Sequence, residues 1–75
     1  MKIGIIAAMP EELAYLVQHL DNAQEQVVLG NTYYTGNLAS HEVVLVESGI
    51  GKVMSAMSVA ILADHFQVDA LINTG

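Results

Sequence analysis

The stretch Met1-Lys2-Ile3-Gly4-Ile5-Ile6-Ala7-Ala8-Met9-Pro10-Glu11-Glu12 decides how this chain folds. Lys2 to Ala8 is short, apolar and rich in isoleucine, as a strand buried on both faces of a sheet should be. Pro10 cannot donate to a sheet ladder but suits the first turn of a helix. Glu11 and Glu12 follow it, where a helix macrodipole favours negative charge. A buried strand thus delivers two carboxylates onto the opening turn of a helix. In open α/β sheets that place, outside the carboxyl end of a strand, is where ligands bind.

Leu13, Leu16, Val17 and Leu20 recur at helical spacing, so Glu11 to Leu20 reads as an amphipathic helix with one buried stripe. Asp21 and Asn22 carry turn chemistry and are expected to end it, with a strand over Glu25 to Leu29. Gly30-Asn31 is expected to turn the chain into a second strand, Thr32 to Leu38. Ala39-Ser40 turns it again into a third, His41 to Glu47. Three strands joined by short turns imply an antiparallel meander. Val43 to Val46 is apolar without alternation, which marks the third strand as central. After the loop Ser48-Gly49-Ile50-Gly51, Lys52 to Phe66 reads as a helix apolar nearly all round, expected to be buried on most sides. Asp69 to Thr74 is the last strand, expected to be buried, and Val43 to Thr74 forms one right-handed parallel crossover.

Seventy-five residues make one small domain at most, which buries only about 60–65% of the surface its unfolded chain exposes. A hydrophobic content of 53% against 13% charged residues is high for so small a body. Together with the apolar helix, this predicts the N-terminal part of a larger α/β domain, the helix being covered by further sequence or another subunit. The net charge of −6, with Lys2 and Lys52 the only formal cations, argues against a surface that tracks nucleic-acid phosphates. Without cysteine there is neither a disulfide framework nor a Cys-based zinc site. The apolar run after Lys2 is at the short limit for a signal peptide and leads into Pro-Glu-Glu rather than a small-residue cleavage site. Val53 to Ala63 is too short to span a bilayer. The expectation is a cytoplasmic protein with neither a membrane nor a nucleic-acid partner.

Two glycine-bearing loops invite a nucleotide reading, and both fail it. Ile3-Gly4-Ile5-Ile6-Ala7-Ala8 lacks the G-x-G-x-x-G spacing that lets a backbone approach pyrophosphate. Ser48 to Val53 has Val46 where a P-loop needs its first glycine and Val53 where it needs the magnesium-binding hydroxyl. That loop either holds a ligand oxygen on its N–H groups or simply turns a strand into a helix. His19, His41 and His65 show no zinc-ligand spacing, so no metal site is expected. Met54 and Met57 suit a core, whereas Met9 stands at the strand's carboxyl end beside the candidate site. Glu11 and Glu12 either stabilise a first helical turn by about 0.3–1 kcal/mol each or supply a catalytic carboxylate. Of the two, Glu12 borders the buried stripe.

Four spaced motifs, Met1 to Glu12, Tyr34-Thr35-Gly36, Ser48 to Val53 and Ile72-Asn73-Thr74-Gly75, resemble the bacterial 5′-methylthioadenosine/S-adenosylhomocysteine nucleosidases of the nucleoside phosphorylase-like family. The likeness runs the whole length in order. It implies the fold class α/β, as the N-terminal part of a mixed-sheet nucleoside phosphorylase-like domain flanked by helices. It also implies cofactor-free hydrolysis of the N-glycosidic bond of methylthioadenosine and S-adenosylhomocysteine, releasing adenine and a thioribose sugar in methionine salvage. On this resemblance Glu12 serves the attacking water, while Ala8, Met9 and Ile50 line the ribose and alkylthio pocket of a small nucleoside substrate. Such chemistry suits a bond that leaves through an oxocarbenium-like state. Pro10 departs from the glutamate that relatives often carry. The family's purine-protonating aspartate and its ribose-gripping methionine-glutamate pair fall beyond Gly75, so these residues alone are expected to be inactive. The family's homodimer would cover the helix Lys52 to Phe66. Competing expectations are a phosphorylase or another nucleoside hydrolase of the same fold, and a non-catalytic ligand-binding domain or fragment.

Overall fold

The computed structural model describes residues 1–47 and 52–74, with residues 52–56 described by their backbone alone. The elements run β1 (Lys2–Ala7), α1 (Pro10–Gln18), β2 (Asp21–Val28), β3 (Asn31–Leu38), β4 (His41–Glu47), α2 (Lys52–Asp64) and β5 (Ala70–Asn73). They form one five-stranded sheet in the order β2-β3-β4-β1-β5. β2, β3 and β4 pair antiparallel, as the short turns require, and β1 pairs parallel with both β4 and β5. The sheet is therefore mixed, and the expected α/β class holds. β4, α2 and β5 make the expected parallel crossover, with β1 seated between its two strands.

β1 and β4 are central, and alternate side chains on them build two apolar layers. Ile5, Val43 and Leu45 share one layer with Leu20, and Leu13, Leu16 and Val17 of α1 pack on it. Ile6, Val44 and Val46 share the other with Tyr33, Ile61, Leu62 and Phe66. A sheet with one helix on each face explains why both central strands read as unbroken apolar runs. Gly4 belongs to the α2 side, where a Cβ would stand 3.0 Å from Leu71 Cδ2 and 3.2 Å from Leu62 Cδ1. Its hydrogen lets both leucines close over β1.

The start of β1 is tied to the segment before β5. Asp69 Oδ2 accepts from the Lys2 backbone N–H at 2.8 Å, and the Asp69 N–H returns a bond to the Lys2 carbonyl at 2.7 Å. Lys2 Nζ donates to the Phe66 carbonyl at 3.0 Å. Its 4.0 Å approach to Glu42 is a surface ion pair and adds little. These bonds set β5 in register with β1, which brings the carboxyl ends of the two strands side by side.

Several boundaries differ from expectation. Asp21-Asn22 does not turn the chain out of a strand: both residues lie in β2, where Asn22 adopts φ 57° and the pairing with β3 shifts register before Gln24. Asparagine tolerates the left-handed region, so it makes a bulge here. The first hairpin turns at Leu29-Gly30, with φ 51° and 83°, and Asn31 already pairs with Val28. Both turn residues have positive φ, as does the Ala39-Ser40 pair, which matches the right-handed twist of the strands. α1 ends at Gln18 and its stripe is only half-buried, the fully buried Leu20 lying beyond the helix. α2 ends at Asp64, and among its described side chains Ser58, Ile61 and Leu62 are buried while Val59, Ala60 and Ala63 are exposed. Among the described residues β5 has a neighbour on one side only, β1, and Leu71 and Ile72 are exposed. No helix among the described residues is long and apolar enough to cross a membrane.

Gly36 marks a close approach within the meander. A Cβ there would meet the Asp21 carbonyl oxygen at 2.8 Å and Leu20 Cβ at 3.2 Å. Since the first obstacle is backbone, Gly36→Ala is expected to displace the bulge and cost about 1–3 kcal/mol. A urea midpoint measured on the full polypeptide checks this, and an unchanged midpoint would show that the bulge yields freely.

Candidate active site

The candidate site lies where β1 gives way to α1. Met9 is the N-cap, in extended conformation at φ −129° and ψ 148°, and Pro10 occupies the first helical turn without sacrificing a bond. Glu12 is then the third helical residue, whose side chain reaches back over the helix start. Its Oε1 accepts from the Met9 N–H at 3.3 Å and from the Ala8 N–H at 3.2 Å. Two backbone groups that the helix start would leave unpaired are thereby satisfied. Glu11, one residue earlier, is exposed.

A third donor comes from the far end of the chain. Thr74, immediately past β5, continues the ladder by giving its N–H to the Ile6 carbonyl at 3.0 Å. Its hydroxyl lies 3.1 Å from Glu12 Oε1, 3.2 Å from the Ala8 nitrogen and 3.4 Å from the Ile6 carbonyl. Sequence reasoning quoted Thr74 only within the motif Ile72-Asn73-Thr74-Gly75 and gave it no role. The available signal was its place at the carboxyl end of a strand parallel to β1, where a side chain borders the same crevice.

A cavity of about 420 Å³ opens at this point, lined by Glu11, Glu12, Tyr15, Leu16 and Thr74. The Tyr15 ring is steadied from behind by His19, whose ring centroid lies 4.5 Å away and whose Nδ1 donates to the Tyr15 carbonyl at 3.0 Å. A larger hollow of about 550 Å³, lined in part by Lys2, Asn22, Asn37 and Glu42, sits at the opposite, amino-terminal ends of β1 and β4. The smaller one is the better candidate, because it alone of the two holds the carboxylate at the strands' carboxyl ends.

Of the residues expected at the site, Glu12, Ala8 and Met9 come together, the last two through their backbone N–H groups. Met9 presents a side chain that is 54% exposed, open to whatever lies above the helix start. Ile50 and the loop Ser48 to Gly51 lie outside the described residues. The three histidines are scattered: His19 is on Tyr15, His65 bonds Gln26 at 2.9 Å, and His41 opens β4. No group of three His, Cys, Asp or Glu side chains is placed to hold a metal among the described residues.

A strand-to-helix junction that aims one carboxylate along the end of a mixed sheet has its counterpart in known proteins, for residues 2–75 match the Phosphorylase superfamily. The chain belongs to that superfamily. Within the superfamily it is similar to the 5′-methylthioadenosine/S-adenosylhomocysteine nucleosidase of Lysinibacillus sphaericus, at 51% identity over 75 residues. It is similar also to that of Listeria monocytogenes, at 48% over the same length. Both alignments take in 100% of this chain, against 33% and 32% of the relatives. Among solved structures, a nucleosidase of that name from S. pneumoniae with a transition-state inhibitor superposes with a TM-score of 0.94 at 95% identity, covering 100% of this chain and 33% of that one. One from Colwellia psychrerythraea in complex with adenine gives 0.95 at 49%, covering 100% and 31%. The chain thus spans about a third of the length of the relatives it matches.

Proposed function

We propose that these residues are the N-terminal part of a single-domain nucleosidase that hydrolyses the N-glycosidic bond of 5′-methylthioadenosine and S-adenosylhomocysteine. The observation that carries this reading is the Glu12 carboxylate, held at the carboxyl end of β1 by Ala8, Met9 and Thr74 in a segment that aligns with nucleosidases throughout. In the reaction Glu12 takes a proton from a water as the water's oxygen bonds to C1′. The bond from C1′ to the purine nitrogen breaks with its electron pair going to adenine, which is protonated by an acid outside these residues. Ala8, Met9 and Ile50 are assigned to the ribose and alkylthio pocket, where the apolar methionine and isoleucine suit a thioether. No cofactor is needed, since the charge that develops is met by a carboxylate and an acid.

The reading extends to a cytoplasmic enzyme of methionine salvage that acts as a homodimer through the helix Lys52 to Phe66. Supporting the dimer is the bare face of α2, where Val59, Ala60 and Ala63 are exposed and small enough for close approach. Adenine release from methylthioadenosine by the full polypeptide, with and without phosphate, tests the activity. The same rate in both buffers is expected. A strict need for phosphate would make the protein a phosphorylase, and failure to release adenine from either thioether would overturn the reading.

A further inference from the structure

We infer that Thr74 is a positioning residue for the hydrolytic water, acting through Glu12. This rests on the proposed function and goes beyond it. All three hydrogen bonds that the Glu12 carboxylate accepts among the described residues end on Oε1, from Ala8, Met9 and Thr74. The two backbone donors belong to the helix start and are the ordinary partners of a glutamate at this position. Thr74 is not: it stands 62 residues away and reaches the carboxylate only because β5 lies beside β1.

Its hydroxyl has one hydrogen to give and two acceptors in reach, Glu12 Oε1 at 3.1 Å and the Ile6 carbonyl at 3.4 Å. The shorter contact is to a charged group and takes the hydrogen. At the same time the Ala8 N–H is shared between Glu12 Oε1 and the hydroxyl oxygen, each at 3.2 Å, so the hydroxyl both receives and donates and its rotation is restrained. The consequence is a division of labour within one carboxylate. Oε1 is bound to the protein on three sides, which sets the plane of the group, and Oε2 is the oxygen left for a water. A carboxylate held only by the two backbone donors could still rock about its last torsion, and small misplacements of a reacting group cost rate steeply. Because the tie runs from β5 to α1, it also makes the orientation of the base depend on correct pairing of the sheet's edge strand.

The test compares Thr74→Val, Thr74→Ser and the wild type in the full polypeptide, reading kcat and KM for adenine release from methylthioadenosine. Thr74→Val is expected to lower kcat about 10- to 100-fold with KM within about twofold, and Thr74→Ser, which restores both bonds, to recover kcat to within about threefold. A merely structural threonine would depress activity in proportion to folded protein and would not be rescued selectively in kcat. Should Thr74→Val not accumulate as folded protein, Thr74→Ala against Thr74→Ser makes the same comparison. Equal kcat in the valine or alanine variant, or a serine variant no better than they are, overturns the inference while leaving the nucleosidase reading intact. Absence of adenine release in the wild type instead overturns both.

Discussion

Replacing Glu12 by glutamine is expected to lower adenine release from methylthioadenosine by about 10²- to 10⁴-fold, the range for losing a positioned general base. The amide keeps the size of the carboxylate and an oxygen that can go on accepting from Ala8, Met9 and Thr74, so the helix start stays closed. What disappears is the capacity to take a proton from water. Stability should change little, by about 0.3–1 kcal/mol, the worth of a first-turn charge against the helix dipole. The loss should fall on kcat rather than KM, since the base acts on water and not on substrate binding. Glu11→Gln serves as the neighbouring control: Glu11 also borders the cavity but is exposed, and its replacement should leave kcat close to wild type. Undiminished turnover in Glu12→Gln would falsify the role given to this carboxylate, whatever the rest of the protein contributes.

The second large effect is expected at Leu45. This side chain is fully buried on the central strand β4 and belongs to the layer formed with Ile5, Leu20 and Val43, on which Leu13, Leu16 and Val17 of α1 rest. Leu45→Ala removes its packing and leaves a void beneath the helix, at a cost of about 2–5 kcal/mol. Leu45→Met, which nearly conserves volume, should cost less than about 1.5 kcal/mol. Denaturant midpoints of the full polypeptide provide the measurement. Because α1 carries Glu12, the alanine variant should also lose kcat beyond its loss of folded protein, as the helix settles toward the void. A penalty below about 1 kcal/mol with unchanged kcat would mean that α1 is placed by something other than this layer.

Much of this was legible locally. The run Lys2 to Ala8 was recognisable as a buried strand, one residue longer than β1, because its isoleucines do not alternate with polar residues, and Pro10-Glu11-Glu12 announced the helix by its end chemistry. The meander followed from three strands separated by short turns, and the central place of β4 from Val43 to Val46. Glu12 was preferred over Glu11 from its place beside the buried stripe, and the structure gives Glu12 the partners while Glu11 stays exposed.

The errors have a common origin. Asp21-Asn22 carries the residues of a turn, and the same left-handed tolerance serves a bulge inside a strand; only pairing with β3 distinguishes the two. The first hairpin turn moved by one residue for the same reason, since register across β2 and β3 decided which positions bend. β5 was read as buried from its apolar run, yet burial depends on which neighbours a strand has, and within the described residues it has β1 on one side only. α2 is not such an error: its cover was expected from further sequence or another subunit, and among its described side chains Ser58, Ile61 and Leu62 are buried while Val59, Ala60 and Ala63 are exposed.

Period and end chemistry act over a few residues, so they were enough to establish that this chain alternates strands and helices, which strands are central and where a carboxylate meets a helix start. Neighbourhood in the sheet is a property of the whole chain. The order β2-β3-β4-β1-β5 and the bulge at Asn22 both depend on it. So does the 3.1 Å bond from Thr74 to Glu12. No local pattern links residues so far apart, because a hydrogen bond between them exists only after two parallel strands have been laid side by side and their ends brought level.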